Sequence, residues 1–527
     1  MDADRGILAA LAAIAVVGLA LSYLFFSGPF YSFDDMDYIT FAHQMLNGTF
    51  NLTSSPYAYG FLVPFSIAAS FSAFGINVPA SILPAMVEYL AIIAIAFAAA
   101  RKMYGNSVGI VSALLVATAP FVVGYSTRVL PDMAVGVSAG ISVLLFVYAG
   151  DDKRGSALYF LSGAFAALTI YFKLIGLAFI LFFAVALAVR SSGKRKTGKN
   201  AGLRAGYALV GAAAVLALYA AIFQVYGSGI AAAVSAYGRN QVSISPTTLG
   251  DNINALIVSI GFAGPVSRYA PYVDPQIFPL GLMCLLAFLG TVMGLAEKGK
   301  GIAFLSVILW GVFFYLFFGT VTLTKYAFIT VISRYFIAVA VPMAVLASYA
   351  ICKMSDTMSR RTRTARTRFI ALFLIAAIVS NIPAYLALYN YNMIISGSVG
   401  DFSSLLRYMS ANAQGGRPDL LVSDNGPSVS FLRFIQGYGA GNETIIPMDF
   451  FDRNSVTALV HRECATGAKA YFALVYANSS EASYDTVYQD WVIPQCSMTE
   501  AGAFQDKQAA DEPYNSMNVE IRLYKMG

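Results

Sequence analysis

Apolar runs long enough to cross a bilayer follow one another along this chain to about residue 389, and the cationic residues between them fall in alternate connections. Those connections hold Arg5, Arg101 and Lys102, Lys153 and Arg154, the run from Arg190 to Arg204, Lys298 and Lys300, and Lys353 to Arg368. Together they carry 19 of the 34 basic residues. Membrane insertion leaves Lys/Arg-rich loops in the cytoplasm, so this alternation sets the topology. The opposite connections hold only Arg128, Lys173, Arg239, Arg268, Lys325 and Arg334, and the last 9 basic residues lie beyond residue 390. The six exceptions read as site residues on the outer face, where the acidic pair Asp34-Asp35 also lies.

With 58% hydrophobic and 12% charged residues, the chain reads as a polytopic α-helical membrane protein of the cell membrane. In a soluble chain a net charge of +6 would suggest nucleic acid; here the inward basic runs account for it and lie against anionic lipid. The first run, Ile7 to Phe26, is long enough to span and lacks a clear small-residue cleavage site, so it reads as a signal anchor with its N-terminus inside. The expected spans are 7–26, 81–100, 106–125, 131–149, 156–172, 174–190, 205–226, 277–295, 302–320, 335–352 and 369–389. Eleven crossings leave everything after Tyr389 outside. The 61–76 segment is apolar but short and broken by Pro64 and Gly75, which suits an interfacial or re-entrant helix.

Three stretches of substance then lie outside. The first runs from Gly28 to about Ala80. The second, Gly227 to Gln276, holds Arg239, Asp251, Arg268 and Asp274. The third, 391–527, follows the membrane domain 1–390 and changes composition. Its alternating runs Asp419 to Ser423, Ala470 to Tyr476 and Val519 to Tyr524 predict strands, and Ser428 to Gly437 predicts a helix. A small extracytoplasmic α/β or α+β domain follows from these. Cys464 and Cys496 both lie in it, and a pair on the oxidising side of a membrane is expected to be bridged; Cys284 and Cys352 lie in spans as packing residues. His43 and His461 are too isolated for a His-based metal site or a Ser-His triad. No phosphate-loop or dinucleotide fingerprint occurs, which excludes an ATP-driven pump.

The first outer loop opens Ser32-Phe33-Asp34-Asp35-Met36-Asp37-Tyr38. Two adjacent carboxylates directly after an anchor suit a helix N-terminus, and such capping would also hold a carboxylate rigidly at the membrane surface. Ser126 to Asp132 follows the third span; Pro131 suits a first helical turn, and Arg128 and Asp132 suit either that turn or a site. Lys173, between two spans, fits a snorkelling lysine as well as a ligand. Arg334 opens the tenth span with no acidic neighbour in sequence, and Glu88 lies inside the second, where an ionisable group is functional by default.

In this order the residues resemble the GT-C superfamily of polyprenyl-phosphate-dependent membrane glycosyltransferases, and among them the protein O-mannosyltransferases and the aminoarabinose transferases of lipid A. Asp34-Asp35-Met36-Asp37-Tyr38 is similar to the family's acidic pair followed by a Tyr, with Asp in place of the usual second Glu. Ala42 to Gly48 is similar to its continuation. Asp132 matches the second acidic position, Thr169 to Lys173 the Leu-Thr-Lys segment, and Ser333-Arg334-Tyr335 with Val341-Pro342 the late Arg-Tyr and Pro segment. The first loop departs from the family at Ser54 to Gly60, which contains Tyr59. The absence of a Trp-Trp-Asp motif speaks against an oligosaccharyltransferase catalytic subunit.

The resemblance implies a polyprenyl monophosphate-linked sugar as donor and an inverting transfer to a protein, glycolipid or cell-wall polymer hydroxyl. It implies Asp34, Asp35 and Asp132 as catalytic acids, with Asp34 as base, and Lys173, Arg334 and Arg128 as donor-phosphate ligands. Tyr38, Tyr59, Glu88 and Arg268 are further candidates. A phosphate held by fixed cations needs no metal, although a divalent ion between carboxylates is the alternative. A transporter or flippase of lipid-linked sugars or polysaccharide is the competing class. It predicts mid-membrane charges and broken helices, whereas these spans read as uninterrupted. A receptor whose tail does the work would leave the outer acids and bases unexplained. Asn47, Asn51, Asn442 and Asn478 each begin a glycosylation sequon.

Overall fold

The computed structural model describes residues 2–24, 33–52, 56–149, 155–192, 198–225, 280–297, 301–319, 333–358, 363–382 and 384–385, together with five strands between 420 and 525. The chain divides into two compact units. One contains Met1–Phe25, Tyr38–Ser70 and Ile82–Leu388; the other contains Phe26–Asp37, Phe71–Ser81 and Tyr389–Gly527.

The first unit is helical. Its elements are α1 (Asp2–Leu24), α2 (Phe33–Leu46, whose start belongs to the second unit), α3 (Leu62–Phe74) and α4 (Val78–Tyr104), whose end and start respectively also belong to it, α5 (Asn106–Ala117), α6 (Pro120–Val123), α7 (Asp132–Ala149), α8 (Gly155–Leu168), α9 (Gly176–Ser192) and α10 (Gly198–Val225). Then come α11 (Gly281–Ala296), α12 (Ile302–Phe318), α13 (Ala340–Met358) and α14 (Arg363–Val379). Five segments are long and apolar enough to cross a membrane: Arg5–Leu24, Val78–Tyr104, Asp132–Ala149, Gly202–Val225 and Ser333–Met358. The chain is a multi-pass membrane protein. Shorter apolar helices, Asn106–Ala117, Gly155–Tyr171, Gly176–Arg190, Leu282–Ala296 and Ile302–Phe318, stand where the sequence predicts further spans. Helix length alone therefore carries five crossings among the described residues.

Contacts inside a bilayer come from close packing, because lipid is as apolar as the side chains. At Gly163 on α8 and Gly290 on α11 a Cβ would run into the carbonyls of Ala208 on α10 and Leu346 on α13, so the backbones approach where only hydrogen fits. The rings of Phe146 and Phe304 stack at 3.8 Å, with Phe183 edge-on to both.

The third expected span, 106–125, is interrupted. Pro120 has no N–H to donate and begins the separate turn α6. Bilayer interior offers no water to the carbonyls that such a break exposes. Side chains fill the role. Tyr89 on α4 donates to the Ala117 carbonyl at 2.7 Å, and Asn381 and Tyr385 beyond α14 donate to the Thr118 carbonyl at 3.1 and 2.9 Å. Ser126 donates back to the Val123 carbonyl at 2.7 Å, and its hydroxyl meets that of Ser22 on α1 at 2.8 Å. The break reads in sequence as a continuous apolar run because Ala119-Pro120-Phe121-Val122-Val123 has no polar residue to mark it.

Besides those helix ends, the described part of the second unit is a mixed five-stranded sheet of order β2-β1-β3-β5-β4. The strands are β1 (Leu420–Ser423), β2 (Thr444–Pro447), β3 (Ala470–Ala477), β4 (Thr499–Gln505) and β5 (Val519–Lys525). β1 runs parallel to β2 and β3, while β5 runs antiparallel to β3 and β4 with an irregularity between Glu500 and Gly502. β2 and β4 are not among the strands that the sequence predicts; β2 is four residues long, and Thr-Glu-Ala-Gly-Ala-Phe-Gln is poor in the branched side chains that mark a strand. The expected helix Ser428 to Gly437, the cysteines Cys464 and Cys496, and Arg239, Asp251, Arg268 and Asp274 lie outside the described residues.

Candidate active site

Three turns of the first unit bring charge to one place. The chain leaves α6 through the turns at 124–131, and Asp132 then opens α7, with the Pro131 carbonyl accepting from Val135. The run α8 ends in a 3-10 turn, Thr169–Tyr171, whose Thr169 carbonyl accepts from both Phe172 and Lys173. That turn presents Lys173 between two apolar helices. A second 3-10 turn, Ser333–Val339, buries all seven of its residues, Arg334 and Tyr335 among them, before α13 begins.

Lys173 Nζ donates to Asp132 Oδ1 at 2.9 Å, and Arg334 Nε lies 3.9 Å from Asp132 Oδ2. The first is a hydrogen-bonded ion pair; the second is an ion pair too long to be a hydrogen bond. The Asp132 side chain is 2% exposed, and those of Lys173 and Arg334 are 11% and 9% exposed. So little solvent reaches the cluster that its charges are weakly screened. Tyr335 serves both cations: Lys173 Nζ lies 4.6 Å from its ring centre and the Arg334 guanidinium 5.8 Å. Arg128 is buried on the turn that leads into α7.

The opposite end of α7 meets a second set of basic residues. Arg190 lies 4.7 Å from the ring of Phe146 and Lys102 lies 5.2 Å from that of Tyr148. Eighteen residues of helix separate these ends, about 27 Å. Basic residues that the sequence assigns to alternate connections thus gather at opposite ends of one helix. Lys173 and Arg334 are at one end; Lys102 and Arg190 are at the other.

Asp132, Lys173 and Arg334 are the predicted site residues that the structure brings together. Their pairing could not be read from the sequence, because 41 residues separate Asp132 from Lys173 and Arg334 lies far downstream. Asp34 and Asp35 stand in the first turn of α2; Asp35 is buried, as is Tyr38 one turn later. Glu88 is half-buried on α4 and makes no ion pair among the described residues. Tyr59 belongs to an aromatic cluster with Tyr171, Tyr219 and Phe223, and its burial pushes its hydroxyl above the usual value. Its carbonyl accepts from the Tyr219 hydroxyl at 3.1 Å. Gly60, which the sequence does not single out, abuts the Phe172 carbonyl beside Lys173. Among the described residues no three His, Cys, Asp or Glu side chains cluster as metal ligands.

Residues 58–222 match the family model of dolichyl-phosphate-mannose-protein mannosyltransferases, a stretch that holds Tyr59, Arg128, Asp132 and Lys173. No sequence among the curated proteins matches. Two solved structures of ArnT from Cupriavidus metallidurans share the fold. The apo form has a TM-score of 0.59 at 11% identity, covering 99% of this chain and 98% of that one. The form bound to undecaprenyl phosphate has 0.58 at 12%, covering 98% and 97%. The oligosaccharyltransferase of Archaeoglobus fulgidus, tethered to an acceptor peptide, aligns at 0.54 and 11% identity over 97% of this chain and 74% of its own. Family model and fold together bear out the resemblance read from the sequence: residues 58–222 match a mannosyltransferase family, and the chain shares the fold of ArnT and of the Archaeoglobus fulgidus oligosaccharyltransferase, two proteins to which the GT-C likeness points.

Proposed function

We propose that this protein is an inverting glycosyltransferase that moves a sugar from a polyprenyl monophosphate to a hydroxyl group on the outer face of the membrane. The observation that carries the reading is the buried Asp132–Lys173–Arg334 cluster, at the end of α7 opposite Lys102 and Arg190. The fold shared with a protein bound to undecaprenyl phosphate supports it.

Lys173 and Arg334, with Arg128, hold the donor phosphate, and Asp132 keeps the first two cations in place before the donor arrives. Asp34 takes the proton of the acceptor hydroxyl while its oxygen attacks the anomeric carbon from the face opposite the phosphate. The bond from that carbon to the phosphate oxygen breaks, and the electron pair leaves with the polyprenyl phosphate, whose charge the cations meet. General base catalysis of this kind contributes about 10²–10⁴-fold. In this reading the N-terminus is cytoplasmic, residues 1–390 form the catalytic membrane domain, and 391–527 form an extracytoplasmic α/β domain. The acceptor is a protein, lipid or polymer hydroxyl.

The test is transfer by the purified full chain from a polyprenyl-phosphate sugar. Asp34→Asn is expected to abolish turnover while undecaprenyl phosphate still binds. Normal turnover in Asp34→Asn would remove Asp34 from the role and move the test to Asp35. Unchanged undecaprenyl phosphate binding in both Lys173→Ala and Arg334→Ala would overturn the donor site.

A further inference from the structure

We propose that Gly60 is a positioning residue that sets Lys173 against Asp132, and that this is why the first loop carries a glycine there. The proposal rests on Lys173 as a donor-phosphate ligand.

Gly60 ends the 3-10 turn Pro56–Gly60. A Cβ built on it collides with the carbonyl oxygen of Phe172, and it would lie 3.0 Å from that carbonyl carbon and 3.7 Å from the Phe172 Cα. The obstacle is backbone, so it cannot swing aside as a side chain would. The Phe172 turn is also tied to itself. Phe172 and Lys173 both donate to the Thr169 carbonyl, and the Lys173 carbonyl accepts from Gly176 at 2.9 Å. A push on Phe172 therefore moves the whole turn, and Lys173 with it.

The turn holding Gly60 cannot retreat, because both turns are pinned to α10. The Tyr219 hydroxyl donates to the Tyr59 carbonyl, and the Tyr59 ring stands edge-on to Phe223 at 5.3 Å. The Tyr171 hydroxyl donates to the Val215 carbonyl at 2.9 Å, and its ring meets Tyr219 at 4.8 Å. Interiors packed at this density pass a displacement on instead of absorbing it. The residue next in line is Lys173, whose ammonium reaches Asp132 at 2.9 Å. Gly60 thus acts through Lys173 without touching the donor.

A residue that merely filled space would cost stability and leave donor affinity alone. The test is a double-mutant cycle on the full chain in nanodiscs, with undecaprenyl phosphate as the probe. Gly60→Ala is expected to weaken its binding about tenfold or more, since small misplacements of a charged ligand cost that much. In a transfer assay the donor KM should rise with kcat near wild type. Lys173→Ala weakens binding too, and adding Gly60→Ala to it changes nothing further. Additive losses, or wild-type binding by Gly60→Ala, overturn the proposal. If Lys173→Ala binds normally, Lys173 is not a donor ligand, and Gly60 is judged by amine labelling of Lys173. Faster labelling in Gly60→Ala supports the positioning role and an unchanged rate ends it. Should Gly60→Ala not fold, Tyr219→Phe frees the Tyr59 carbonyl without adding volume; it is expected to give a smaller rise in donor KM, and no rise overturns the idea.

Discussion

Replacing Asp132 by Asn removes one negative charge and almost no volume, so it isolates the electrostatics of the buried cluster. At an effective permittivity of about 20 the carboxylate attracts Lys173 at 2.9 Å by about 6 kcal/mol and Arg334 at 3.9 Å by about 4 kcal/mol. Most of that gain offsets the cost of drying three charged groups. What remains measurable is the penalty of stranding cations, about 3–5 kcal/mol for loss of one partner of a buried pair. Asn keeps an oxygen that can accept from Lys173 Nζ, which places the expected loss near the lower bound, about 3 kcal/mol. The assay is the thermal midpoint of the unliganded protein in nanodiscs, at low and high salt. An internal control exists. Glu297 meets Lys353 and accepts from the Tyr349 hydroxyl, and these two partners hold its carboxyl below the usual range, but 46% of its side chain is exposed. Glu297→Gln should shift the midpoint little, and only at low salt. Asp132→Asn should shift it strongly at both salt concentrations. Equal shifts for the two variants, or salt sensitivity in Asp132→Asn, would refute the treatment of the cluster as dry.

The carbonyl contacts at the end of α5 give another expectation. Asn381→Leu together with Tyr385→Phe leaves the Thr118 carbonyl buried without its side-chain donors, which should cost about 1–3 kcal/mol in midpoint measurements; Asn381→Gln should recover part of it. For the tail, a Cys464–Cys496 bridge is expected to appear in non-reducing peptide mapping and to stabilise its domain by about 2–4 kcal/mol; two alkylatable thiols in the native protein would show it is absent.

Much of the helical scaffold was legible because hydropathy at bilayer length is a strong local signal, and because the Lys and Arg between the apolar runs mark their ends. Boundaries were read short where helices run on through charge. α14 begins at Arg363, six residues before the expected 369, and α13 continues to Met358, past Lys353, because Arg, Lys and Met favour helix as well as apolar residues do. The break at Pro120 was hidden in an apolar run, and what stabilises it comes from Tyr89, Asn381 and Tyr385, far away in the chain. Site residues followed the same division. Lys173 and Arg334 stood out as cations where positive charge is rare, and Asp132 stood out by resemblance. That all three meet is a tertiary fact. Gly60 was marked only as the end of the departing stretch Ser54 to Gly60, because a close backbone approach involves no side chain that a sequence could display.

Taken as the third crossing of the proposed topology, 106–125 makes bilayer thickness a variable of the proposed site. α5 has 12 residues, a rise of about 18 Å against a hydrocarbon core of about 30 Å. Beyond Ala117 the crossing continues as turns whose residues Tyr125, Ser126, Arg128, Val129 and Leu130 are buried in protein, so no lipid-facing helix fills that depth there. In a crossing built this way, a helix shorter than the hydrocarbon core favours local thinning of the bilayer. In the proposed donor reading, a lipid phosphate approaching Asp132 by this side crosses less hydrocarbon than it would along a full-length helix. Turnover should then depend on acyl-chain length, with thicker membranes placing the headgroup farther from the cations.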